Sequence, residues 1–131
     1  MNNFDQTAIE TAVGEVLRDL GVSENIFHNR PRSSSLNLSD FVVCNVAGEI
    51  KDMAAFGICT VNVHLFARDS ANMKNGKRLS VMQGKIKEGM TGALGDMCLD
   101  IHGVNPLGDM SDRNGYHVRI IQLKQVIIKI A

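Results

Sequence analysis

The sequence predicts an α+β fold: a mainly antiparallel sheet of four to five strands packed with two helices, in the order α-β-β-β-α-β-β. Three observations predict it. Apolar residues recur at 3.6-residue spacing near the start of the chain and again past its middle, and β-branched segments of strand length lie between and after them. At 131 residues, 44% hydrophobic and 21% charged, the chain has room for a single domain, 1–131, of ordinary globular composition.

The first helix is carried by Phe4, Ala8, Ile9, Ala12, Val13, Val16, Leu17 and Leu20, with acids on the opposite face. It is expected to lie on the sheet through Ala8, Ala12, Val16 and Leu20. Asn2 or Asn3 can cap its start, and Gly21 can end it in a left-handed turn. Gly14 inside it costs about 1 kcal/mol relative to Ala, which suits a close crossing. A short apolar pair, Ile26-Phe27, leads into a loop of Pro31 and serines that no regular element can continue.

Residues 41–46 read as a strand, and 48–57 as an extended hairpin with Ile50 and Met53 in its arms. Residues 58–68 alternate best. Cys59, Val61, Val63, Leu65 and Ala67 share one face, Thr60, Asn62, His64 and Arg68 the other, and Phe66 breaks the pattern. A second helix is predicted over 71–90, with Leu79, Met82, Ile86 and Met90 as its stripe. Gly89, Gly92 and Gly95 then make a flexible connection. Residues 97–102 form a short strand and 103–115 a polar loop, closed by Asn114-Gly115, a type I′ turn signal. The last strand, 116–130, shifts its apolar phase at Ile120–Ile121 and near Lys124–Gln125, which predicts a bulge at each.

Known chemical patterns fail on detail. His28, His64, His102 and His117 stand in no metal-ligand spacing, so no metal is expected, and His64 and His117 are expected to face away from the core. Cys44, Cys59 and Cys98 are odd in number without a C-x-x-C pair. They read as reduced thiols packed in or near the core of a cytoplasmic protein. Asn75-Gly76-Lys77-Arg78 lacks the upstream glycine and following Ser/Thr of a phosphate loop. Gly92-Ala93-Leu94-Gly95 lacks the basic centre of a nucleic-acid clamp, and the calcium-like Asp112-Arg113-Asn114-Gly115 places Met110 and Ile121 where ligands belong. With no activated nucleophile either, neither an enzyme nor a cofactor is expected. No apolar run reaches the ~18–20 residues of a membrane helix, and Met1–Asp5 does not begin a secretion signal.

Fourteen Lys and Arg against fourteen Asp and Glu sum to zero, which argues against a specific nucleic-acid partner. The charges are nonetheless blocked: −4 over residues 1–25, zero over 26–67, +5 over 68–87, −5 over 88–112 and +4 over 113–131. Blocks of this kind either complement one another within the fold or complement another copy of the chain. Arg30 and Arg32, on the serine-rich loop, and Lys74, Lys77, Arg78 and Lys85, on the second helix, are the candidates for contact with a partner chain.

The element order resembles the small tail-terminator (tail-completion) proteins of long-tailed phages and prophages, and related neck proteins. The resemblance runs over nearly the whole chain and rests on three stretches. The amphipathic helix ending at Gly21 is followed by Ile26-Phe27-His28-Asn29-Arg30-Pro31. The strand Val61-Asn62-Val63-His64-Leu65-Phe66-Ala67-Arg68 runs into a helix through Asp69. The turn Asp112-Arg113-Asn114-Gly115-Tyr116-His117 opens a long last strand. The sequence departs from the family in its long 36–57 hairpin, its glycine-broken second helix and its lack of tryptophan.

The resemblance implies a structural protein without catalysis, cytoplasmic during assembly and then part of the virion. Its partners would be itself, in a ring of about six copies, the tail tube protein and the head connector. The ring would act sterically, leaving no surface for another tube subunit. The alternative reading is a small bacterial α+β ligand-binding or regulatory domain, with a pocket around His64, His117 and Asp100.

Overall fold

A computed structural model describes residues 5–29, 37–94 and 99–129. Its class is α+β, and the helices and long strands follow the order expected. Among the described residues there are two helices, α1 (Gln6–Asp19) and α2 (Gly76–Gly89), and six strands: β1 (Ile26–Phe27), β2 (Asp40–Asp52), β3 (Phe56–Arg68), β4 (Gly92–Leu94), β5 (Leu99–Ser111) and β6 (Tyr116–Lys129). They form one sheet in the order β1-β2-β3-β6-β5-β4, with β1 parallel to β2 and every other pair antiparallel.

Local chemistry sets the ends of α1. Asp5 caps it, accepting a hydrogen bond from the Thr7 amide at 3.1 Å; Asn2 and Asn3 lie outside the described residues. Gly21 takes a left-handed φ of +74° at the far end. The amides of Gly21 and Val22 donate to Arg18 O and Leu17 O at 3.0 and 3.1 Å, and Val22 packs beside Leu17 in the core. This is a Schellman closure with its apolar contact. Gly14 is a close crossing, since a Cβ there would stand 3.2 Å from Ile26 Cγ2 and 3.3 Å from His28 Cε1. The helix turns further than expected: Ile9, Val13 and Leu17 are its buried line, and Ala8, Ala12, Val16 and Leu20 flank it, half-buried.

The second helix starts later than 71. Ala71 and Asn72 have positive φ, and Ser70 and Met73 exchange backbone hydrogen bonds in a tight turn. Asn75 then caps α2 through the Arg78 amide at 3.2 Å. Its stripe is the expected one, with Leu79, Met82, Ile86 and Met90 all fully buried. The core lies between the helices and the sheet face bearing Val42, Cys44, Val61, Val63, Leu65, Ile121, Leu123, Val126 and Ile128.

The other sheet face carries an apolar cluster at one end, which accounts for the misfit of Phe66. Phe41, Val43, Phe66, Tyr116 and Val118 are buried together, with Phe41 stacked on Phe66 at 4.3 Å and edge-on to Tyr116. The same cluster corrects the expected bulge at Ile120–Ile121. Register is regular there, because Tyr116, Val118 and Ile120 lie on this second face and Ile121 and Leu123 on the core face. The other bulge is present: the pairing slips between Cys59/Val126 and Val61/Leu123, and Gln125 has φ of 51°.

Three more expectations are corrected. The 103–115 segment is no loop, since β5 continues to Ser111 in a ladder with β6, interrupted only by a slip at Leu107-Gly108. Part of the flexible connection is β4, paired with β5. The Asn114-Gly115 turn is not type I′, because the left-handed residues are Arg113 and Gly115 while Asp112 Oδ1 accepts from the Asn114 and Tyr116 amides.

The burial pattern ranks two neighbouring residues. Leu17→Ala should destabilise by about 2–4 kcal/mol and Val16→Ala by under about 1 kcal/mol, measured by urea unfolding. Equal losses would place the helix in the orientation expected from sequence.

Candidate interaction surfaces

The basic residues on and before α2 divide by environment. Arg78 reaches down to β2, its Nε donating to Asp40 Oδ2 at 2.7 Å, while Ser23 Oγ donates to Asp40 Oδ1 at 2.6 Å. Asn25 Nδ2 donates to Asp40 O at 3.1 Å. This buried carboxylate therefore ties the α1–β1 turn, the start of β2 and α2 into one network. Lys85 Nζ donates to Gly21 O at 2.9 Å, and Lys74 pairs with Asp109 at 3.0 Å. Lys77 is exposed and has no ion-pair partner among the described residues, and so is Lys87. Arg30 and Arg32 lie outside the described residues, as does Cys98. Part of the +5 block is thus neutralised within the fold and part faces outward.

Asp109 is the hub of a second network. Arg119 donates to both its oxygens at 2.6 and 2.8 Å, and also to Ser80 Oγ and Gln83 Oε1 on α2. Those bonds from Arg119, with Lys74 beside them, lower the carboxyl from its ordinary 3.8 to about 2 despite burial. His117, on the same helix-side face, places Nδ1 2.7 Å from Asp69 Oδ1, so it does not face away from the helices as expected. His64 does face away.

Across the open face the register lines up four amides on four strands. Asn45 is opposite Asn62, Asn62 opposite Gln122, and Gln122 opposite Asn105. Asn62 Oδ1 is buried without a hydrogen-bond partner among the described residues. Beside this row a cleft of about 370 Å³ is lined by His28, Val43, Asn45, His64, Phe66 and Met110 among others. Burial lowers the pKa of His64, so the cleft wall is uncharged there at neutral pH. The pocket expected from His64, His117 and Asp100 does not form. His117 is on the opposite face, and Asp100 lies near the far end of the open face beside His102 at 3.4 Å.

Cys44 and His28 are close, with Sγ 3.6 Å from Nδ1. Burial first, and Glu10 second, push the Cys44 thiol up to about 12, and its Sγ donates to Glu10 O. Glu10 in turn accepts from the Val46 amide at 2.8 Å, tying α1 to β2. Burial pushes Cys59 up to about 11. No group of three or more metal-ligating side chains occurs among the described residues, and no described helix is long and apolar enough to cross a membrane.

Two measurements follow. Asp109 binds its proton less readily folded than unfolded, so its share of stability is full above about pH 4 and is lost as pH falls toward 2. Asp109→Asn should flatten the acid arm of the stability–pH curve, removing on the order of 1–2 kcal/mol at pH 6. Alkylation of the native protein should leave Cys44 and Cys59 unlabelled, and denaturation should expose both; rapid native labelling of either would contradict the burial described.

A scan against protein-family models finds no match, and none of the curated proteins matches the chain.

Proposed function

We propose that this protein is a structural ring former of the tail-terminator or head–tail joining kind, which caps a phage tail tube. One observation carries the reading: the helices cover only one face of the sheet. The other face, with its amide row and cleft, carries no helix among the described residues and is offered to a neighbour. Two long antiparallel ribbons, β2–β3 and β5–β6, add exposed apolar side chains that solvent does not favour, with Met53, Leu107 and Met110 each more than half exposed. The helix–strand–ribbon order that carries the family resemblance is also the order of the fold. No step of chemistry is required of such a protein. Its action is steric, by occupying the growing end of a tube.

Light scattering after size exclusion tests the proposal. The expected outcome is a concentration-dependent ring of about six copies, which stops elongation when added to polymerising tail tube protein. The cleft supports the alternative of a small-molecule binding domain. A species no larger than a dimer at every concentration, with a saturable ligand whose binding His64→Ala abolishes, would decide for that alternative.

A further inference from the structure

Exposed charges of opposite sign on the two helices lack ion-pair partners among the described residues. On α2, Lys77 and Lys87 are exposed, about 15 Å apart along the axis. Val81 between them is 42% exposed, and a Cβ at Gly84 would meet nothing within 4 Å. Val81 and Gly84 thus leave a side of low relief between the lysines. On α1, the outer face carries Glu15 and Asp19 one turn apart, with the small residues Ala8 and Thr11 in the turns before them. None of these four charged side chains has an ion-pair partner among the described residues. Each helix also carries one charge of the other sign, Arg18 on α1 and Glu88 on α2, both exposed.

We propose that the outer face of α2 docks on the outer face of α1 of a second copy, as the contact between successive subunits; this deepens the ring reading and rests on it. Within one chain the two helices are fixed side by side on the sheet, and their outer faces cannot meet. A second copy can bring them together. The small residues of both faces permit the 8–10 Å approach of packed helices. The lysines then approach the Glu15–Asp19 turn from its two ends, and Arg18 is available to Glu88. A contact between two different patches is heterologous, and repeats until it closes into a ring or runs on.

Charge exchange tests this. Sedimentation velocity would compare wild type, Lys77→Glu/Lys87→Glu and Glu15→Lys/Asp19→Lys, at low and high salt, with circular dichroism to verify folding of these surface variants. Each variant alone should raise the apparent dissociation constant at least tenfold, an equal mixture of the two should restore co-assembly, and wild-type assembly should weaken as salt rises. If both variants assemble like wild type, this contact is wrong while the ring stands. If wild type stays monomeric at every concentration in low salt, the ring and the contact fall together. If the lysine variant assembles normally but loses binding to duplex DNA, the basic face serves nucleic acid and the contact is overturned.

Discussion

The pairing of β3 with β6 is the constraint on which the rest of the structure depends. It joins Phe56 to Lys129 at one end and Arg68 to Tyr116 at the other, so the two middle strands of the sheet come from distant parts of the chain. The other elements are placed on this pair or on the strands beside it. β2 and β5 flank it, α2 lies over its helix-side face, and the aromatic cluster seals one end of the opposite face. The two polar networks pin α2 at points the apolar core does not define. Asp40 fixes it to the start of β2, and Asp109 to the β5–β6 ribbon through Arg119.

What the sequence revealed follows from how local each signal is. The two helices were legible because a 3.6-residue period survives even when a helix contains glycine, and the Leu79, Met82, Ile86 and Met90 stripe was found intact. The facing of α1 was off by part of a turn because a broad apolar stripe does not identify its own centre. β5 was not legible. Gly103, Pro106 and Gly108 read as a loop, whereas beside a sheet edge they are tolerated by a strand with only one fully occupied neighbour. Two buried faces at one end of β6 looked like a bulge, since alternation assumes a single core. The basic residues of the candidate surface were recognisable one by one, but their partners were not. Asp40 is 38 residues from Arg78 and Asp109 is 35 from Lys74, and only the fold brings such groups together.

The sheet manages its own edges. β1 covers only the beginning of β2, and beyond it β2 slips register around the left-handed Gly48. β4 covers only the beginning of β5, and beyond it come Pro106 and the slip at Gly108. Irregularities of this kind prevent indiscriminate strand-to-strand joining. A molecule with guarded edges and a half-covered sheet directs association toward its faces, where side-chain chemistry can select a partner, and away from its backbone, where it cannot.

The central position of β6 has a consequence for the nascent chain. A polypeptide that has emerged only as far as Ser111 holds β2–β3 and β5 with nothing between them, leaving β3 and β5 each with a bare edge. The helices then rest on a sheet split down the middle. Addition of β6 joins the halves. Closure of the loop from Arg68 to Tyr116 is therefore a late and slow event. Until it occurs the molecule has no continuous sheet face to present.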